Sequence, residues 1–334
     1  MAGRVRIALC AMVASLVLPM AQAGADEPVP WLLPGSPPLP PDYTVPYLPA
    51  VEPVSCVEGT LSCVRQLETI LQQHTAALGC DHDAVFADAY LTITRGYLES
   101  ATDPDYFDDL ERLDPLAVRG TYERPDRINH EVRNYAQEYL DQYARWHTGH
   151  RDEVAPSWAI AFQAADDESV TATGDLLLQL NAHIRRDNPI RAIEQTEGVL
   201  RADGPMPDAT GRPDHDRISD VLQENAELMS DRLAARYDPS LNDGNELLGM
   251  VIDPKSVYLL ISSWREEAWR NAEQLRHARA AGGVDGPLYH AKLAEIDASA
   301  EAAAYAILAA TRTTPEANQA RREYCRDNLD NGAP

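Results

Sequence analysis

Apolar residues recur at intervals of three and four along most of the chain, the spacing of one helix face. The longest such stripe is Ile128, Val132, Tyr135, Tyr139, Tyr143 and Trp146, and it predicts a helix from about Asp126 to Trp146 with its aromatic face in the core. His147 and His150 follow at its end, where the helix dipole favours histidine as a cap. Leu61, Val64, Leu67, Leu71 and Leu78 predict an earlier helix, capped by Thr60 and ended by Gly79. Val85, Phe86, Ala89, Tyr90, Ile93 and Tyr97 predict the next, with Asp81-His82-Asp83 as its opening cap.

The second half repeats the pattern. Pro156-Ser157-Trp158 starts a short helix through Ile160 and Phe162. Ser169 is expected to cap a very apolar central helix that runs through Leu176 and Leu180 to Asp187. Asn188-Pro189 should break or kink it, because a residue before proline avoids the helical region. A short helix from Ile190 to Glu197 and a surface loop over 198–213 follow. Asp214-His215-Asp216 then opens a helix through Ile218, Val221, Leu222, Leu228, Met229 and Leu233 to about Tyr237. Asp253-Pro254 signals another start, with an end near Ala281 before Gly282-Gly283. A helix from about Pro287 to Thr311 is alanine-rich between Ala298 and Ala310, so a neighbour can approach closely. Thr314-Pro315 begins the last helix, which carries Cys325. Residues 101–121 read as irregular. Alternating apolar and polar runs are missing, so the expected fold is all-α: one domain over about 55–330, with eight to ten helices and no significant sheet.

Composition changes the picture at the N-terminus. Arg4 and Arg6, the apolar run from Ile7 to Leu18 and Ala21-Gln22-Ala23 read as a secretory signal over residues 1–23. The run is too short for a comfortable membrane span, and Cys10 inside it is not a plausible lipid-attachment site. The mature protein is expected to be secreted or extracytoplasmic, starting near Gly24 after cleavage near Ala23. Ten prolines between Pro28 and Pro53 make residues 24–54 a flexible arm. Residues 331–334 form a tail. The formal net charge is −24, and loss of the leader removes two arginines more. So acidic a surface repels nucleic acid and anionic lipid, which leaves a small-molecule or surface partner.

Cys56, Cys63, Cys80 and Cys325 remain after processing. An even count in an exported chain implies two disulfides, and four cysteines permit three pairings. The preferred one is Cys56–Cys63 with Cys80–Cys325: a small local loop, and a bond tying the last helix to an early one. No C-x-x-C pair suggests a cysteine zinc site.

The candidate chemistry lies between Leu176 and Leu222. His183 and Asp187 stand four residues apart on the face that carries Leu176 and Leu180, so they project together. With Asp214 and Asp216 they offer imidazole and carboxylate ligands for zinc, iron or manganese. Without a metal, Asp187 would orient His183 as an acid/base pair, and these two are the catalytic candidates. The alternative is structural. Here His183 is a buried histidine held by a carboxylate, Asp214 or Asp216 caps its own helix, and Asn181 bonds a backbone group. Arg265 and Trp269 share a helix face, where the guanidinium can stack on the indole and pair with an acid. They join Asn181 and His215 as possible binding residues. No phosphate-binding glycine loop, H-E-x-x-H or G-x-S-x-G is present. Two functions stay open: a metal-binding, hydrolytic site, or a non-catalytic secreted protein that binds a small ligand or a cell-surface partner.

The runs LLLQLNAHIRRD, PDHDRISDVL, PSWAIAF, WREEAWRNAEQL and CDHDAVFADAYL resemble a bacterial family described as a domain of unknown function, number 5995, in its exported branch with paired cysteines. The resemblance covers roughly residues 56–326. Its pattern falls on Asn181, His183, Asp187, Asp214, Asp216, Trp158, Arg265 and Trp269. It departs at Asn188, where leucine is usual, and at Ser219, where asparagine is frequent. It implies an all-α fold and no particular chemistry.

Overall fold

The helical periodicity is realised throughout the computed structural model, which describes residues 59–107, 122–194, 211–242, 246–247, 250–251 and 254–330. The expected leader, proline-rich arm and tail lie outside the described residues, as do Cys56, Asp253 and most of the 198–213 loop. Ten α-helices form the described body: α1 (Leu61–Leu78), α2 (Ala84–Ser100), α3 (Pro125–His147), α4 (Pro156–Asp166), α5 (Ala172–Asn181), α6 (Arg212–Glu224), α7 (Ala226–Arg236), α8 (Pro254–Gly282), α9 (Pro287–Ala310) and α10 (Pro315–Asn328). Among the described residues, strand pairing amounts to a two-residue antiparallel hairpin, Glu246–Leu247 with Met250–Val251, and an isolated antiparallel bridge between Val170 and Arg312. The fold is all-α, as the periodicity requires, and no described helix is long and apolar enough to cross a membrane.

Local chemistry sets the helix starts. Pro occupies the first turn of α3, α4, α6, α9 and α10, where its missing N–H costs nothing. Thr314 caps α10 by accepting from the Ala317 N–H at 3.2 Å. The cap of α5 is Thr171, which accepts from Gly174 N–H, and not Ser169. Ser169 instead lends its carbonyl to the Thr313 N–H, so this segment pairs with the α9–α10 connection before the helix begins. The single helix expected from 214 to 237 is two, α6 and α7, divided at Asn225. The Asn225 carboxamide bonds the Val221 carbonyl at 2.9 Å, a side chain competing for a backbone partner. It also lies against Gly96 of α2, where any Cβ would collide with it.

The largest departure from the expected pattern follows α5. The chain does not break at Asn188-Pro189 but winds on as a π-helix, Ala182–Glu194, with Pro189 inside it. An α-helical turn would drive the proline ring into the carbonyl four residues back. Hydrogen bonding to the fifth residue widens the turn and relieves that clash. The π-helix packs chiefly on α8 and α3. Arg185 makes a two-pronged pair with Glu267 of α8, both arms at 3.0 Å. Arg186 reaches Glu138 of α3 at 2.7 Å and Asp297 of α9 at 3.2 Å. The central segment is thereby tied to three helices by charge as well as by apolar burial.

The core is aromatic and aliphatic, built around Phe86, Tyr139, Trp158 and Phe162, all almost wholly buried. Ala300 and Ala304 are fully buried on α9, and their small size lets it lie close on α4, α5 and the π-helix. Asn181 uses that proximity to donate to the Ala300 carbonyl at 2.8 Å. A Cys80–Cys325 disulfide joins α10 to the turn before α2. Cys63 is also disulfide-bonded, and Cys56, its expected partner, lies outside the described residues.

Candidate functional site

Each polar residue singled out in the sequence has a definite place, and most are committed to structural partners. Asp187 is fully buried. Its Oδ2 accepts from the Trp158 indole N–H at 2.7 Å and its Oδ1 from Arg186 at 2.8 Å. Asp214 is equally buried, but its carboxylate accepts from the backbone N–H groups of Glu123 and Arg124 at 2.7 and 2.9 Å, and from Arg217 at 3.0 Å. It therefore anchors the chain just before α3 and does not cap its own helix. Asp216 turns to the surface and pairs with Arg212 at 2.7 Å.

The zinc, iron or manganese set expected from His183, Asp187, Asp214 and Asp216 is not assembled. Among the described residues no group of three or more His, Cys, Asp or Glu side chains is placed to hold a metal ion. The physical reason is prior commitment: each carboxylate already meets cationic or N–H donors. The Arg265–Trp269 stack is likewise corrected. Arg212 lies over the Trp269 ring, 5.5 Å from its centroid. Arg265 donates to Ser219 Oγ at 2.9 Å and to the His215 carbonyl at 2.7 Å. Trp269 donates to Glu273, and the His215 ring packs at a tilt against the indole. Burial and the neighbouring Arg265 lower the His215 pKa to about 4, so its ring is neutral near pH 7.

The caps expected at Asp81-His82-Asp83 and His147 also take other partners. His82 meets Asp175 at 2.9 Å and Arg321 at 3.0 Å. Asp83 accepts from Gln179 at 2.9 Å, and Asp81 accepts from the Asp83 N–H. His147 stands 3.5 Å from Asp83, and burial, then Arg151, lowers its pKa to about 4. A neutral ring gains nothing from the helix dipole, so His147 is a packing residue.

His183 is held chiefly by ring packing. Its ring lies flat on Tyr135, with centroids 3.4 Å apart and planes within 6°. The rings of Tyr90 and Phe86 meet it edge-on at 4.8 and 5.5 Å. Its Nδ1 is 3.5 Å from Asp187 Oδ2, so ring and carboxylate meet at the outer limit of a hydrogen bond. Burial lowers the imidazole pKa and Asp187 offsets only part of that, so the ring is neutral. The Tyr90 and Tyr135 hydroxyls and the Asn188 carboxamide are buried beside it, and Asn188 lies within reach of the Tyr135 hydroxyl. Burial holds both phenols well above their ordinary pKa, so they too are neutral.

These four residues border one cavity of about 100 Å³, and its remaining walls are almost wholly apolar. Ala89, Ile93, Val132, Leu180, Ile184 and Met229 supply them, from α2, α3, α5, the π-helix and α7. Half-buried Leu222, Val257 and Tyr258 stand on the side nearest solvent. Glu131 and Arg265 close one end. Burial pushes the Glu131 carboxyl up, but His215, Arg127 and Arg265 outweigh it and keep it ionised. That end is therefore a compensated pair of opposite charges. Tyr90, Tyr135 and Asn188 were missed as site residues from the sequence. The tyrosines sit within regular apolar stripes. Asn188 follows His183 by five positions, a separation that only the π winding brings onto one face.

Fold and site together define a class: an all-α domain with a small, almost wholly apolar cavity among its helices. The chain belongs to the family described as "Family of unknown function (DUF5995)", whose pattern matches residues 62–310. No curated protein and no solved structure matches it.

Proposed function

We propose that this is an exported protein that binds a small, largely apolar molecule in the cavity beside His183. One observation carries the reading: side chains from α2, α3, α5, α6, α7, α8 and the π-helix leave an almost wholly apolar cavity of about 100 Å³ between them, where close packing would be expected to fill the space. An engineered cavity of about 150 Å³ takes up benzene, so this one fits a molecule of that order or smaller. The hydrolytic alternative has less support, because Asp187 spends both oxygens on Trp158 and Arg186.

Filling the cavity tests the reading. At ten times its Kd, a ligand such as toluene or isobutanol stabilises by about 1.4 kcal/mol, raising Tm by about 3 °C. Ala89→Leu, whose added carbons enter the cavity, is expected to remove that rise while keeping the helical circular dichroism. An unchanged rise in the filled variant places the binding elsewhere, and no rise in the wild type with any small apolar probe ends the proposal. Export is supported by the signal-like residues 1–23 and by the disulfide-bonded cysteines, which suit an oxidising compartment. Intact mass of protein recovered outside the cytoplasm is expected to give a chain starting at Gly24, and a chain retaining Met1 refutes it.

A further inference from the structure

We infer that a second site lies at the junction of α9 and α10, and that it takes a small zwitterion of amino-acid or short-peptide size. The inference is independent of the cavity beside His183.

A groove forms there where three stretches of chain meet. Residues 169–171 run antiparallel to 311–313: the Thr171 N–H donates to the Thr311 carbonyl at 2.9 Å, and the Thr313 N–H to the Ser169 carbonyl at 3.1 Å. The first turns of α10 and a 3-10 helix, Pro239–Leu241, flank this pairing. Together they border about 650 Å³, a volume suited to a small molecule.

The walls include four polar side chains almost wholly withdrawn from solvent. Thr173, Thr311, Asn318 and Arg321 are each at or below 8 % exposure. Three of them are fixed by the protein. Thr311 donates to the Ile307 carbonyl, Asn318 to the Glu168 carbonyl, and Arg321 to Asp175. The Thr173 hydroxyl has no hydrogen bond among the described residues. A hydroxyl both donates and accepts, so it can serve either end of a polar ligand.

Charge decides the ligand class. Arg312 and Asp238 both line the groove, and neither has an oppositely charged partner among the described residues. Backbone duties keep the two apart. Arg312 stands opposite Val170 in the antiparallel pairing. Asp238 caps the 3-10 helix, accepting from the Ser240 N–H at 2.9 Å. The charge of Arg321 is used by Asp175 at 2.6 Å, so Arg312 is the lining cation left for a ligand. An anion gains Arg312 but meets Asp238 and the field of a chain of net charge −24. A cation gains Asp238 but meets Arg312. A zwitterion satisfies both and carries no net charge against that field. Its carboxylate and ammonium each make a charge-assisted hydrogen bond, the stronger kind.

Alanine, dialanine and trialanine, in order of increasing charge separation, test this on the full mature chain at pH 7. The N-acetylated and amidated derivatives of each are the singly charged controls. Binding is read from backbone amide NMR shifts. At least one zwitterion is expected to shift Thr173 and Thr313 with a Kd on the order of 1 mM. Both of its derivatives should bind about tenfold more weakly or worse, the loss of one charge-assisted hydrogen bond. Arg312→Gln and Asp238→Asn should fold as the wild type does, because Arg312 is exposed and Asn keeps a cap oxygen for Ser240. Each should weaken the zwitterion about tenfold. Arg312→Gln should leave the amidated derivative unaffected, and Asp238→Asn the N-acetylated one. Equal binding of a zwitterion and its derivatives, or shifts that survive both substitutions, overturns the charge assignment. No shift at the groove with any of the three zwitterions at about 10 mM overturns the site.

Discussion

Asp187→Ala is expected to lower the free energy of unfolding by about 3–5 kcal/mol, the cost of removing one member of a buried charge pair. Two donors lose their acceptor at once. The Trp158 N–H, in the middle of the aromatic core, has only Asp187 to bond, at 2.7 Å. Arg186 keeps Glu138 and Asp297 but loses its innermost carboxylate. No solvent reaches the gap, because Asp187 is fully buried. Asp187→Asn is the informative companion. It keeps an oxygen for Trp158 but turns an amide N–H toward Arg186 where an acceptor stood, so its loss should be smaller than the alanine variant's by only the Trp158 hydrogen bond, about 1 kcal/mol. Urea unfolding with a common slope measures both. A loss below about 1 kcal/mol for the alanine variant contradicts the structural role assigned here and returns Asp187 to the chemistry of His183.

That role also shows what the sequence made legible. The helices were readable because their apolar faces recur at three and four, and α3 matches its aromatic stripe to within a residue at each end. Residue types told where polar groups would be buried: Asn181, His183, Asp187 and Asp214 are all at or below 3 % exposure. Their partners were not readable. Asp214 meets Glu123 and Arg124, some ninety positions earlier, and nothing local announces that. Both readings offered for it, metal ligand and cap of its own helix, were local guesses about a distant contact. A hollow is invisible for a different reason. An apolar stripe looks the same whether its side chains interdigitate or stop short of one another. Tyr90 and Tyr135 therefore passed as packing residues, although both border the cavity. Asn188 was concealed by the change of helical pitch. The sequence did point to the disturbance, through Asn188-Pro189, but as a break. The packed neighbours of the π-helix, joined to it through Arg185 and Arg186, hold the widened turn in place.

Eliminating the Cys80–Cys325 bond, as Cys80→Ser with Cys325→Ala, is expected to cost about 5 kcal/mol in the loop-closure model. The two cysteines are 245 positions apart, so the bond closes nearly the whole helical body into one loop. Loop entropy grows only with the logarithm of length, so this bond lies near the upper end of what a disulfide contributes. The folded state should change little. Arg321, one turn before Cys325, is held by Asp175 at 2.6 Å and His82 at 3.0 Å, and Tyr324 donates to the Ala234 carbonyl at 3.1 Å. These contacts keep α10 docked whether or not the sulfurs are joined. The loss should therefore appear mainly as slower refolding, with the unfolding rate nearly unchanged, because the bond acts by restricting the unfolded chain. Stopped-flow mixing in denaturant separates the two rates. A faster unfolding rate with unaltered refolding shows that the bond instead clamps α10 in the native state, and early hydrogen exchange confined to α10 would then accompany it. Protein made in a reducing cytoplasm lacks the Cys63 bond as well and should refold at least as slowly as the double variant, and oxidation should remove the deficit, since the contacts around Arg321 already bring Cys80 and Cys325 together.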